Sequence, residues 1–148
     1  MKFFKQSPGK ALVHVWVSNA DDLSVCSEVT DLYACMVWAS EMTSASFKDD
    51  VAQALVASGC RYIVAGGLEG TLWDDAGDWA YLETDPNYDP PDDTSVMTSW
   101  HDGEPISEVL EFLLNTTNFD DHAFTTYMIL HAGRSGGRRN HRACSAII

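Results

Sequence analysis

The chain has 148 residues, 45% of them apolar and 11% aromatic, with 22 acidic side chains against 9 lysines and arginines. This length fits one domain able to bury roughly 68–70% of its unfolded surface, and this composition excludes a natively disordered chain. No Lys or Arg lies between Arg61 and Arg134, while all 22 acids precede Arg134, so direct nucleic-acid binding by residues 62–133 is not expected.

The N-terminus, MKFFKQSPGKALVHVWV, interrupts its apolar residues with Lys5, Lys10 and His14, so neither a signal peptide nor a membrane span is predicted. A cytoplasmic location with reduced cysteines follows as an expectation. Cys26, Cys35, Cys60 and Cys144 show no CxxC spacing, and they read as small core hydrophobes. After a short arm containing Pro8 and Gly9, ALVHVWVS (11–18) is rich in β-branched and aromatic residues and predicts a strand. LYACMVWA (32–39), an unbroken apolar run between polar flanks, predicts a buried strand.

SFKDDVAQALVASG (46–59) predicts a helix with Ser46 as N-cap, Gly59 as its stop, and Phe47, Val51, Ala54, Leu55 and Ser58 on one face. CRYIVAGG (60–67) predicts the next strand, closing a β-α-β unit that implies parallel pairing. TLWDDAGDWAYLE (71–83) predicts a helix with Leu72, Ala76, Trp79 and Ala80 facing inward and Asp74, Asp75 and Asp78 opposite, weakened at Gly77. The proline- and aspartate-rich DPNYDPPDD predicts a loop, TSVMTSW (94–100) a strand, and EPISEVLEFLLNTT (104–117) a helix with Pro105 at its first position and Ile106, Val109, Leu110, Leu113 and Leu114 on one face. TTYMILHAG (125–133) predicts the last strand.

This order predicts an α/β layered sandwich, a mainly parallel sheet of four to five strands flanked by helices, over residues 1–133. Residues 134–148, with Arg134, Arg138, Arg139 and Arg142, predict a basic, flexible C-terminal tail.

In such sheets ligands collect at the carboxyl ends of the strands. Those ends hold Ser40, Glu41 and Thr43; Gly66, Gly67, Glu69 and Thr71; Trp100, His101, Asp102 and Glu104; and His131, Arg134 and Ser135. His101, Asp102 and Glu104 are the candidate catalytic residues, because an imidazole between carboxylates suits either a divalent metal or general acid–base work. No HExxH or HxH spacing fixes a ligand pair, and no GxSxG marks a nucleophile. AGGLEG lacks both the GxGxxG order and the Walker lysine, and Glu69 opposes an anion there. DPNYDPPDD begins like a calcium loop but has Pro90 where the turn glycine belongs. Asp120, Asp121 and His122 read as a turn feeding the last strand, and no cofactor or metal site is assigned.

ASGCRYIVAGG, WDDAGDWAYLE and PDDTSVMTSWHDGEPISEVLEFLL, in this order over residues 45–131, resemble a family of small acidic bacterial proteins of unknown function. The resemblance implies an α/β domain and carries no reaction.

Two functions fit these features. The first is an acidic protein-binding module, an immunity-type or regulatory inhibitor whose Trp73, Asp74, Asp75, Asp78, Tyr88 and Asp89 dock on a basic partner such as a nuclease. The alternative is a small metal-dependent hydrolase working at the strand ends. A solvated acidic surface without a partner is the plainest account of the charge.

Overall fold

The computed structural model describes residues 2–7, 10–119 and 122–133, with side chains described from Lys10 onward. The expected basic tail, like Asp120, Asp121, Arg134 and Ser135, lies outside these residues. Strands β1 (Lys2–Ser7), β2 (Lys10–Val17), β3 (Tyr33–Ala39), β4 (Cys60–Gly67), β5 (Met97–His101) and β6 (Thr126–Ala132) form one sheet in the order β1-β2-β6-β3-β4-β5. β2 to β6 are all parallel. β1 was expected as an arm; it pairs antiparallel with β2, with Phe3 opposite Val13 and Lys5 opposite Ala11. The expected mainly parallel α/β sandwich is therefore the fold, with that strand added at one edge.

Three helices and a 3-10 helix connect the strands: Ala20–Glu28 in the 3-10 form, then α1 (Ala45–Ala57), α2 (Gly70–Leu82) and α3 (Ile106–Thr116). From β2 to β5 the strands advance in one direction across the sheet, and the 3-10 helix, α1 and α2 pack on the same face. The step from β5 back to β6 reverses direction. A right-handed crossover that reverses must travel over the opposite face, and α3 does so. Val109, Leu110 and Leu113 seal Ala34, Met36, Val64 and Ile129 there. Both faces being covered explains why the strands read as near-continuous apolar runs. Cys26, Cys35 and Cys60 are buried as expected, and burial pushes the Cys26 and Cys60 thiols up to about 11 and about 12. Among the described residues no helix is long and apolar enough to cross a membrane.

Helix boundaries and faces depart from expectation in instructive ways. The N-cap of α1 is Ser44, whose hydroxyl accepts from Phe47 N at 3.1 Å, two residues before the expected cap. Its buried face carries Lys48, Val51, Ala52, Leu55 and Val56. Pro105 caps α3 from outside the helix rather than opening it. In α2 the buried residues are Gly70, Trp73, Asp74, Ala76, Gly77 and Ala80, so Leu72 and Trp79, expected inside, face solvent. Gly77 sets that register. A Cβ there would stand 3.1 Å from both Ile63 Cδ1 and Thr98 Cγ2, so the bare glycine lets α2 lie close on β4 and β5.

Candidate functional site

The outer surface of α2 and the loop that follows it hold the expected partner-binding residues. Trp73 is only 1% exposed, packed edge-on against Phe47 with ring centroids 6.1 Å apart and capped by the Lys48 ammonium 5.7 Å from its ring. Asp74 is buried beside it in sequence. These two belong to the interior. Asp75, Asp78, Tyr88 and Asp89 are exposed, and Trp79 joins them: 56% exposed, it meets Tyr88, 59% exposed, edge-to-face at 6.2 Å. Beside this pair a groove of about 220 Å³ runs between α1 and α2, walled by Ala45, Leu72, Ala76 and Trp79 and rimmed by Asp49 and Asp75. Drug-sized ligands occupy roughly 300–1,000 Å³, so the groove is scaled to a single long side chain.

Beneath it lies an ion pair that sequence reasoning missed. Lys48, 4% exposed, donates to Glu69 Oε1 at 3.0 Å and to Thr43 O at 2.7 Å. Glu69 is the N-cap of α2 in the left-handed conformation (φ 59°), and its carboxylate also accepts from Thr43 N at 3.0 Å. That amide first, and Lys48 after it, holds the Glu69 carboxyl below its usual range. The AGGLEG loop is thus a brace between α1 and α2.

Apart from the Lys48–Glu69 pair, the described cations are spent on backbone carbonyls. Of the five lysines and arginines preceding Arg134, three have described side chains. Each points at backbone carbonyls: Lys10 at Leu114 O (3.2 Å), closing the end of α3; Lys48 at Thr43 O; Arg61 at Cys60 O (3.0 Å). Among the described residues, Lys48–Glu69 and His101–Glu104 are the only ion pairs. Among the described residues none gives Asp75, Asp78, Asp89 or Asp49 a counter-charge.

Asp74, Asp75 and Asp78 offer carboxylate oxygens within 4.8 Å of one another. The Thr98 hydroxyl lies 3.1 Å from Asp74 Oδ1 and 2.8 Å from Asp78 Oδ1. Burial, then the neighbouring Asp78, raises the Asp74 pKa.

At the carboxyl ends of β2, β3 and β6 a cleft of about 580 Å³ is lined by Ser18, Asn19, Glu41, Thr43, Asp50 and Gly133, among others. Several of its polar groups already serve as caps. Asn19 Oδ1 accepts from Asp21 N at 2.9 Å, and Ser44 caps α1. Glu41 and Asp50 are its acidic members. His131, expected among the strand-end ligands, instead stacks on Trp16 and on buried His14, with ring centroids 5.1 and 5.6 Å away.

Of the three candidate catalytic residues, His101 and Glu104 meet at the end of β5 and Asp102 parts from them. His101 Nδ1 lies 3.0 Å from Glu104 Oε2, and its Nε2 lies 3.0 Å from Ser99 Oγ. With both ring nitrogens engaged, the imidazole has none facing a metal. Asp102 turns to α2 instead, where a Cβ on Gly70 would collide with its carboxylate. Trp100, with Thr98, sits toward α2, on the side of β5 away from His101. The sequence signal for Ser99 was its i, i+2 spacing from His101 on a strand.

The model of a domain of unknown function, DUF7684, matches residues 12–147. The chain belongs to this family. The match takes in β2 and the 3-10 helix at one end and the arginine-rich segment at the other, so it extends beyond residues 45–131 in both directions. Among curated proteins none matches the sequence.

Proposed function

We propose that this DUF7684 protein is a cytosolic bacterial binding module, an immunity-type or regulatory inhibitor whose α1/α2 face receives a lysine- or arginine-rich segment of a partner protein. One observation carries the reading: an exposed, mutually packed Trp79–Tyr88 pair stands among carboxylates to which the described cations offer nothing. The groove beside Trp79 has apolar walls for the methylene stem of a basic side chain and Asp49 and Asp75 for its head. The indole face adds a cation–π contact of about 0.5–1 kcal/mol at an exposed site. Tryptophan, tyrosine and partner arginines are the usual anchors of such contacts.

Calorimetric titration with a synthetic arginine-rich peptide, against a glutamate-rich peptide of equal length, tests this. Binding of the basic peptide alone is expected, weakening as the Debye length shrinks from about 30 Å at 0.01 M salt to about 10 Å at 0.1 M. It should be lost in Trp79→Ala and reduced in Asp75→Asn. Absence of binding at low salt, or binding indifferent to both substitutions, overturns the proposal.

A further inference from the structure

We propose that Ser99 is an acyl-transfer nucleophile, with His101 as its base and Glu104 as the positioning residue. This stands on the end of β5 and is independent of the α1/α2 face. Side chains two apart on a strand share a side, and Ser99 Oγ accordingly sits 3.0 Å from His101 Nε2. Beyond β5 the chain reverses at Gly103, whose φ of 77° lies in the region glycine favours. Glu104 N donates to His101 O at 3.3 Å, and the turn returns the Glu104 carboxylate to within 3.0 Å of His101 Nδ1.

The order of these contacts fixes the protons. A carboxylate accepts and does not donate, so Nδ1 carries the hydrogen that joins it to Glu104. When the ring is neutral its lone pair lies at Nε2, and the Ser99 hydroxyl is then the donor. A serine donating to an imidazole that is itself oriented by a carboxylate is the arrangement that activates an alcohol. Phe112 of α3, with its ring centroid 4.5 Å from that of the imidazole, holds the 8%-exposed ring in place.

Two neighbours indicate the substrate. β5 is the edge of the described sheet, so its outer backbone N–H groups have no partner strand and can face a carbonyl oxygen. Met97, on the same side as Ser99 and His101 and 44% exposed, offers an apolar contact. The substrate class is a carboxylic ester with an apolar acyl group. Ser99 Oγ bonds to the carbonyl carbon as its proton passes to His101 Nε2. The tetrahedral adduct expels the alcohol oxygen, which takes that proton, and water then attacks the acyl-serine by the same relay, releasing the acid and restoring Ser99.

The test uses the intact protein with a fluorophosphonate probe, whose attack forms the Ser99 O–P bond and releases fluoride, and with p-nitrophenyl butyrate. Mass spectrometry of the digested adduct is expected to place one phosphonyl group on Ser99, and the ester to give a stoichiometric nitrophenolate burst. General-base assistance contributes about 10²–10⁴-fold, so His101→Gln should slow labelling at least a hundredfold and Ser99→Ala should abolish it. Glu104→Asp should recover rate that Glu104→Gln loses. The wild-type result decides even where a variant fails to fold. No adduct, or an adduct on another residue, overturns the proposal, as does undiminished labelling of folded His101→Gln; a serine that merely satisfies a buried histidine gives the first of these.

Discussion

The inward placement of Trp73 and outward placement of Trp79 lead to a sharp contrast between two chemically identical truncations. Trp73→Ala removes a ring that is 1% exposed, touching Phe47 and Lys48, from a core that cannot fully collapse around the void. Such substitutions cost about 3–5 kcal/mol. For a chain of this size each kcal/mol moves the melting temperature by roughly 2–4 °C, so the midpoint should fall by about 6–20 °C. Trp79→Ala removes a ring 56% exposed, in contact with the equally exposed Tyr88, and a surface change of this kind stays within about 0.5 kcal/mol. Its midpoint should move by less than about 2 °C. Thermal unfolding followed by far-ultraviolet circular dichroism, with urea titration as a second probe, reads both. Trp73→Phe, which fills part of the space, keeps the comparison measurable should the alanine variant be largely unfolded. Equal losses, or a larger loss for Trp79→Ala, would refute the register of α2 and with it the surface on which the binding proposal rests.

Three further outcomes follow from the buried polar groups. Burial and Asp78 raise the Asp74 pKa above 3.8, so the native state holds a proton that the unfolded chain has already released, and stability is lost as pH rises through that window. Asp74→Asn keeps an oxygen for Thr98 and should therefore unfold at higher urea than wild type at pH 7, with the advantage vanishing below pH 3.8; lower stability at pH 7 would contradict this. Burial lowers the His14 pKa from 6.5 to about 4, so the unfolded chain takes up the proton first and stability falls as pH drops from 6.5 toward 4. His14→Gln removes that contribution, and its urea midpoint should approach the wild-type value between pH 7 and pH 5, whereas a gap independent of pH would show that His14 does not titrate in this way. Lys48→Met leaves Glu69 without its cation and Thr43 O without its donor, so it should destabilise more than the double variant Lys48→Met/Glu69→Gln, and a simple sum of the single effects in a double-mutant cycle would deny the pair.

The sheet was legible because both its faces are covered. Runs such as LYACMVWA and, past Arg61, CRYIVAGG had to be apolar on both faces, and the helices between them fixed the parallel order. β1 was hidden because a hairpin edge strand interrupted by lysines carries the same signal as an arm. The face of α2 was misread for a subtler reason. Leu72–Ala76–Trp79–Ala80 and Trp73–Ala76–Gly77–Ala80 are both helical stripes, and they share two alanines. Apolar content favours the first, while close approach of helix to sheet favours the second, where Gly77 admits Ile63 and Thr98. An aspartate on the buried stripe conceals it further, since Asp74 makes sense inside only once Thr98 is seen opposite. The Ser99–His101–Glu104 relay escaped because rules for nucleophiles expect a strand-to-helix elbow. Here strand alternation supplies the first contact and a glycine turn the second.

Composition also understates how anionic the exterior is. Counting formal charges assumes that each base offsets an acid where a partner would meet it, and in this protein the described bases do not. Lys48, the one cation of α1, is buried, neutralising Glu69 inside the brace between α1 and α2. Lys10 lies against Leu114 O in the last turn of α3 and Arg61 against Val56 O in the last turn of α1 as well as Cys60 O of β4, and a cation at a helix C-terminus also answers the helix dipole. Each placement has a local structural cause, and their joint effect is that no described cation stands free on the α1/α2 surface. Asp49, Asp75, Asp78 and Asp89 then surround Trp79 and Tyr88 with a field that water and salt screen but no described cation cancels. Since field strength at a face depends on the charges near it and not on the sum over the chain, the same count of residues with Lys48 at the surface would make a weaker attractor. The acid-rich stretch first visible in the sequence is offered to the proposed basic partner because the fold turns the described cations toward backbone carbonyls and Glu69.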